Sequence, residues 1–315
     1  MKRCLYCYAE LENQTTDFHE RCSRKIFGTG LPPELAYSEE EMLKLAEEVI
    51  KSQSAVTGAQ PKLSLGIDRI SKKGEPQQFT IIGLWGDYIL KPPTKRYESL
   101  PEIEDLTMHL AELSDIKVVP HTLIRLRSGN LSYLTKRVDR ENGLKIHMED
   151  MCQLTERLTE QKYNGSYEQI GKAIAKYSSN PGLDLTNFFE QVLFSYFTGN
   201  ADMHLKNFSL IDSPEIGYML CPAYDLVASK LVVKGDDEDL ALTLNGKKKR
   251  ITKNDFKTAM GRFNINSKAI ENIFSKFSSS ISSWHDFIDI SFLSKQMKGK
   301  YHDLLDKQLA VMNTQ

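Results

Sequence analysis

Apolar positions change their spacing twice along this chain. Met42, Leu45, Ala46, Val49 and Ile50 recur at i, i+3, i+4, i+7 and i+8, the stripe of an amphipathic helix, and Ser38 with Glu41 forms the capping box that opens it. From about 62 to 138 the period drops to two. Leu63/Leu65/Ile67 and the runs 79–82, 88–90, 122–124 and 133–135 read as strands. One helix interrupts them over 102–114, with Ile103, Leu106, Leu110 and Leu113 along one side. After Glu149 helical spacing predominates, over 149–158, 166–178, 185–198, 253–263, 267–280 and 291–312, around a short strand pair at 208–211 and 217–220. A strand-rich half with one helix, followed by a helical half, predicts an α+β chain of two lobes with a cleft between them. The glycine- and proline-rich stretch 27–33 marks a break after a small N-terminal segment, so the expected divisions are 1–35, 36–140 and 141–315.

Composition narrows the function classes. The 315 residues are 40% apolar, 9% aromatic and 26% charged, which suits a folded chain. With 41 Lys+Arg against 42 Asp+Glu, the net charge of −1 argues against bulk electrostatic binding to nucleic acid or an anionic membrane. No apolar run approaches the ~18–20 residues of a bilayer span. The N-terminus lacks the apolar core of a signal peptide, and a cytoplasmic location is expected.

Three of the five cysteines fall in the first 22 residues, an odd and clustered set that suits a reducing compartment. Cys4-x2-Cys7-x11-His19-x2-Cys22 offers three thiolates and an imidazole in two close pairs, the donor set of a closed tetrahedral Zn²⁺ site. A small thiol or disulfide cluster is the alternative. Cys152 and Cys221, single and flanked by apolar residues, are expected in the core. The one dense basic run, Lys247-Lys248-Lys249-Arg250, reads as a solvated hairpin turn, with a phosphate-contact patch as the alternative.

The stretch Gly199-Asn200-Ala201-Asp202-Met203-His204-Leu205-Lys206-Asn207 carries the strongest chemical signal. It lies between an aromatic helix and a strand, and Asp202-x4-Asn207 has the spacing of a kinase catalytic loop. Eighteen residues on, past the strand pair, stands Asp225, where a kinase places its second metal-binding carboxylate. Two acids and an amide oxygen are the hard ligands that Mg²⁺ prefers. Lys91 ends its strand as a phosphate-contacting lysine would, and Glu104 in the following helix is its candidate ion-pair partner. Neither a Walker motif nor G-x-G-x-x-G is present. The phosphate-covering element is therefore sought in 52–62, with Gly58, Gln60 and Lys62, for which a plain helix-to-strand linker is the bland alternative.

Six motifs in order carry a family resemblance: Gly58-Ala59-Gln60-Pro61-Lys62, Ile89-Leu90-Lys91-Pro92, Lys136-Arg137-Val138-Asp139-Arg140, the 199–207 loop, Pro222-Ala223-Tyr224-Asp225-Leu226 and Leu244-Asn245-Gly246-Lys247. Over roughly 40–310 the chain resembles the HipA/HipT-type serine/threonine kinases, toxins of bacterial toxin–antitoxin systems. The resemblance implies a bilobal kinase fold, ATP and Mg²⁺. It makes Asp202 the base, Asn207 and Asp225 the metal ligands, Lys91 the phosphate contact and Glu104 its partner. It includes His204 and Lys206 in the loop motif, and implies a hinge at 136–138 that meets adenine through Lys136 and Val138.

The resemblance also implies self-inhibition by autophosphorylation ahead of Gly58. Thr57 keeps a hydroxyl at one family phosphosite, Ala55 has lost the other, and Ser54 is the alternative acceptor. Lys136 stands where HipA carries an acidic residue. The chain is shorter than HipA and lacks its N-terminal subdomain, which implies a separate small antitoxin partner. The implied substrate is a protein hydroxyl, in the family an aminoacyl-tRNA synthetase. A non-catalytic interaction protein working through the zinc knuckle, or a small-molecule kinase on the same fold, are the competing readings.

Overall fold

A computed structural model describes residues 2–38, 40–42, 44–45, 62–68, 76–82, 85–141, 143–233 and 235–313. The chain divides into two compact units. One comprises 1–105, 119–143 and 290–292, the other 106–118, 144–289 and 293–315.

The first unit is built on a five-stranded antiparallel sheet of order β2-β1-β3-β5-β4. Its strands are β1 (Leu63–Asp68), β2 (Gln78–Ile81), β3 (Tyr88–Lys91), β4 (His121–Arg125) and β5 (Leu131–Lys136). The register sets Leu63 opposite Leu90 and Leu65 opposite Tyr88, then Leu90 opposite Leu134. The period-two residues therefore stack on one buried face, as alternation requires. A helix at the N-terminus, α1 (Glu20–Phe27), stops at Gly28 in the left-handed region, φ 78°. Phe27 packs edge-on against Phe79 at 5.9 Å, and Ile26 accepts a hydrogen bond from the Tyr88 hydroxyl at 3.0 Å. The segment before α1 is tied to β4: the Leu5 carbonyl accepts from Leu123 N (3.3 Å) and Thr122 Oγ1 (3.1 Å). The expected Ser38 capping box is present, with Glu41 N on Ser38 Oγ and Ser38 N on Glu41 Oε2. The long helix α2 spans Leu100–Glu112, with residues 100–105 in this unit and 106–112 in the other.

Two short strands, β6 (Arg140–Glu141) and β7 (Leu144–Lys145), precede the second sheet, which has the order β10-β9-β8. Its strands are β8 (Met148–Asp150), β9 (Ser209–Ser213) and β10 (Gly217–Leu220). Around it in sequence come α3 (Met151–Leu154), α4 (Tyr167–Tyr177), α5 (Pro181–Phe197), α6 (Lys253–Gly261), α7 (Ser267–Asp289) and α8 (Lys295–Asn313). Phe194, Phe197, Phe277 and Trp284 interlock, with ring centroids 5.5–6.4 Å apart. Among the described residues, no helix is long and apolar enough to cross a membrane.

Two expectations need correction. The helix expected over 149–158 is only Met151–Leu154. Residues 148–150 pair with β9 instead, Asp150 caps the helix, and Glu156 at φ 56° turns the chain away. The helix expected to end at 280 runs on to Asp289. The serines at 279 and 280 bond back to the Lys276 carbonyl, so their hydroxyls are satisfied within the helix. Cys152 and Cys221 are buried as expected.

Candidate active site and metal centre

In the first unit, Lys91 is the last residue of β3 and faces Tyr133 across the ladder, its Nζ 5.4 Å from the ring centroid. It donates to Glu104 Oε1 at 2.6 Å, with the lysine 9% exposed and the glutamate 2%. A pair this desolvated persists only because each charge answers the other. The next residue on α2, Asp105, is fully buried. It accepts from the Tyr8 hydroxyl at 2.8 Å through one oxygen and pairs with His121 Nδ1 at 2.7 Å through the other.

Lys136 ends β5 exposed and Val138 is half-buried. This stretch is held by backbone bonds from Lys136 N to Pro120 O and from Arg137 N to Asp87 O, 2.8 Å each. Asp139 is clasped by Arg137 and Arg140. Burial pushes its carboxyl up, but the guanidiniums outweigh that and hold it below the usual range. Lys62 lies exposed just ahead of β1. Gly58, Gln60, Ser54 and Thr57 lie outside the described residues.

In the second unit, α5 ends at Thr198, and Gly199 takes φ 64° to turn the chain into the loop. The left-handed turn favours glycine, and a Cβ there would also press on the Leu304 side chain, with Cδ2 at 2.8 Å. Asn200 Oδ1 receives Asp202 N at 3.2 Å, and Ala201 N reaches Ser229 Oγ at 2.9 Å. Asn207 Nδ2 donates to the Asp202 carbonyl at 3.1 Å, so Oδ1 is the atom of this amide that could hold a cation. Below the loop, Tyr167 donates to the Met203 carbonyl at 3.0 Å and stacks edge-on with Phe208.

The hairpin β9–β10 brings the chain back to Tyr224, whose buried hydroxyl meets Ser209 Oγ and donates to the Lys206 carbonyl at 3.0 Å. That bond couples the segment bearing Asp225 to the loop bearing Asn207. Asp225 sits at φ 56°, a left-handed conformation that aspartate tolerates better than most residues. Burial lowers the His204 pKa. The negative charges of Asp202 and Asp225 oppose this.

The loop carries Asp202, His204 and Asn207, and the Tyr224 bond ties the neighbouring Asp225 segment to it. It also holds two buried polar atoms with no hydrogen-bond partner, Asn200 Nδ2 and His204 Nδ1, bonding capacity left over for a ligand or water. Lys206 is engaged elsewhere, donating to Asp150 Oδ2 at 2.6 Å while Asp150 Oδ1 caps α3. Tyr163, absent from the sequence reasoning, donates to Asp202 Oδ1 at 2.5 Å. Tyr224 lies inside the 222–226 motif, but nothing local marks its bond to Lys206.

The basic run is largely neutralised. Lys247 pairs with Asp255 at 2.9 Å, Lys248 with Glu238 at 3.4 Å and Lys249 with Asp237 at 2.5 Å. The turn that carries it has Asn245 and Gly246 at φ 49° and 79°. It is the solvated hairpin turn.

At the N-terminus, the ligand atoms of Cys4, Cys7, His19 and Cys22 lie within 4.8 Å of one another. Cys7 Sγ is 3.5 Å and Cys22 Sγ 3.8 Å from His19 Nδ1. A Zn²⁺ tetrahedron with ~2.3 Å sulfur and ~2.0 Å nitrogen bonds separates its ligand atoms by about 3.5–3.8 Å. His19 Nε2 is 3.0 Å from the Glu10 carbonyl, and a carbonyl can only accept, so the proton is on Nε2 and Nδ1 carries a bare lone pair toward the thiols. The four donors close the site with no open position, and the residues fit a structural metal.

A family model described as "HipA-like C-terminal domain" matches residues 54–284. The chain is 32% identical over 178 residues to "Putative kinase Y4dM" of Sinorhizobium fredii (strain NBRC 101917 / NGR234), covering 53% of this chain and 43% of that protein. It is 28% identical over 200 residues to the "Serine/threonine-protein kinase toxin HipA" of Shewanella oneidensis (strain ATCC 700550 / JCM 31522 / CIP 106686 / LMG 19005 / NCIMB 14063 / MR-1), covering 56% and 44%. It thus spans under half the length of either relative. Among solved structures, HipA from the Shewanella oneidensis MR-1 complex of HipA, HipB and operator DNA superposes with a TM-score of 0.67 at 20% identity, over 85% of this chain and 71% of that one. The fold is the same.

Proposed function

The chain belongs to the HipA-like C-terminal domain family, and on that premise we propose that it is a serine/threonine protein kinase that transfers the γ-phosphoryl of ATP to a protein hydroxyl. The observation that carries the reading is the loop of the second unit, where Asn207 holds the Asp202 carbonyl and Tyr224 ties the Asp225 segment to the same loop.

In this reading Asp202 accepts the proton of the acceptor hydroxyl as its oxygen bonds to phosphorus and the bond to the ADP oxygen breaks. Asn207 Oδ1 and the Asp225 carboxylate would hold Mg²⁺, whose charge offsets that of the phosphates when bound. Lys91, kept charged and aimed by Glu104, contacts the phosphates. Tyr163 and His204 orient the Asp202 carboxylate. Catalysis then consists of positioning and charge neutralisation, with no covalent enzyme intermediate.

A toxin role opposed by a separate small antitoxin follows from the likeness to HipA, whose solved complex contains HipB and operator DNA. Zn²⁺ bound by Cys4, Cys7, His19 and Cys22 supplies structural order without chemistry. Autophosphorylation at Thr57, with Ser54 as the alternative, switches the kinase off, because a phosphate there adds ~−1.5 to −2 charge beside the nucleotide phosphates.

The test is incubation with MgATP and mass spectrometry of the chain and of cellular proteins. Phosphopeptides spanning 52–57 and a phosphorylated target are expected with the native chain and are absent with Asp202→Ala, which still binds ATP. Asp202→Ala with undiminished transfer would remove it from the reaction.

A further inference from the structure

The metal cluster and the Lys91–Glu104 pair are far apart in sequence yet belong to one hydrogen-bonded construction. Tyr8 follows Cys7 directly and is part of the turn that presents the thiols: its N–H donates to the Cys4 carbonyl and Cys4 N donates to the Ala9 carbonyl, 2.9 Å each. Tyr8 adopts φ 60°, a conformation a bulky aromatic takes only when its surroundings impose it. Its side chain is fully buried, packed edge-on against Phe292 at 4.8 Å, and its hydroxyl ends on Asp105 Oδ2 at 2.8 Å.

Asp105 is next to Glu104 on α2. Its second oxygen is taken by His121 of β4, and the Leu5 carbonyl at the start of the Cys-containing turn accepts from Thr122 and Leu123 of the same strand. The helix bearing Glu104 is thus gripped at consecutive residues, Glu104 by Lys91 of the sheet and Asp105 jointly by the sheet and the Cys/His turn.

We infer that the Cys4–Cys7–His19–Cys22 centre, when it holds Zn²⁺, is a positioning device for the catalytic lysine, acting through Tyr8 and Asp105 on the register of α2. A tetrahedral metal fixes the turn to which Tyr8 belongs, and so the place at which its hydroxyl meets Asp105. Without the metal, four donors this close repel or reorient. The turn relaxes, and Asp105 is left as a fully buried carboxylate short of one donor. Such a group draws in water or shifts to reach it, and Glu104, one residue away on the same helix, shifts with it. Metal occupancy of the N-terminal segment thereby sets how well Lys91 is held. Tyr8 and Asp105 are positioning residues in this scheme and touch no substrate.

The inference rests on the kinase reading for its consequence but not for its structural content, and the experiment separates the two. Hydrogen exchange is measured on the amides of 100–112, with zinc content and MgATP-dependent phosphoryl transfer, in the native chain, Tyr8→Phe, Cys7→Ser and the double variant. Tyr8→Phe keeps the ring and removes one oxygen. It should retain one equivalent of zinc, exchange faster across α2 and transfer phosphoryl about tenfold more slowly, the factor equivalent to one ~1.4 kcal/mol hydrogen bond.

Cys7→Ser should lose the metal and show the same two changes, and adding Tyr8→Phe to it should change nothing further, because both act through one contact. Co²⁺ reconstitution of the native chain should give thiolate-to-cobalt absorption, lost in Cys7→Ser. A Tyr8→Phe chain with native exchange in α2, or a folded, zinc-free Cys7→Ser chain with native exchange, would overturn the coupling. Lys91→Met serves as the control: if it transfers phosphoryl at the native rate the kinase reading fails, while the exchange data still judge the link between metal and helix.

Discussion

Breaking the Lys91–Glu104 pair is the most quantitative test of the first unit. The two charges sit 2.6 Å apart at side-chain exposures of 11% and 2%. Removing one partner of a buried pair strands the other in a poorly solvating site and costs about 3–5 kcal/mol, against ~0–1 kcal/mol for an exposed pair. Glu104→Gln keeps the shape and an acceptor for Lys91, so about 3 kcal/mol is expected. Lys91→Met keeps most of the volume but leaves a nearly inaccessible carboxylate, which must take up a proton, and the cost should be similar. The double variant removes both charges and leaves a neutral amide beside a thioether. It should lose only about 1–2 kcal/mol relative to the native chain, so the two single costs fail to add by several kcal/mol.

Denaturant unfolding followed by circular dichroism measures all four corners of this cycle. Phosphoryl transfer is read in parallel, where the reasoning requires a different pattern. Stability is largely restored in the double variant while transfer stays near background in all three, because the cation that the proposed function assigns to the phosphates is absent or misplaced. Single-variant costs below ~1 kcal/mol, the value of a solvated pair, would refute the burial argument. Native transfer by Lys91→Met would refute the role given to the lysine.

Two further expectations concern the second unit. Gly199→Ala forces a Cβ into a left-handed turn 2.8 Å from Leu304 Cδ2 and 3.3 Å from Lys230 Cβ. It should destabilise by about 1–2 kcal/mol in a thermal melt, and a change within ~0.5 kcal/mol would show the loop accommodating it freely. Burial pushes the Asp255 carboxyl up, but hydrogen bonds from Asn245, Lys247 and Thr252 outweigh this and hold it at about 2, against an ordinary 3.8. A depressed native pKa contributes stability in full above the unfolded value and loses it as the pH falls through the native one. The stability gap between the native chain and Asp255→Asn should therefore be constant above about pH 4 and shrink toward pH 2, and a pH-independent gap would contradict it.

What the amino-acid sequence determined by itself is what short-range spacing encodes. Alternation at Leu63/Leu65/Ile67 and through 133–135 marks strands because a pleated chain puts every second side chain on one face, whatever it pairs with. Asp202 and Asn207 were recognisable because one short loop carries both, and the Cys4, Cys7, His19 and Cys22 cluster because two close pairs suffice to signal it. Where the outcome hung on a distant partner, the chain alone was silent or misleading. Residues 149 and 150 look helical until β9, some sixty positions on, pairs with them. The lysines at 247–249 do form the solvated turn expected, but nothing local announces that Asp255, Glu238 and Asp237 pair with them.

Lys206 lies within the 199–207 motif, yet its charge is drawn to Asp150. Tyr8 and Asp105, 97 positions apart, share a hydrogen bond that no periodicity announces. These choices belong to the tertiary structure because a buried carboxylate must find a donor among whatever groups packing brings near, and packing is decided by the apolar faces of the whole chain rather than by the neighbours of any one residue.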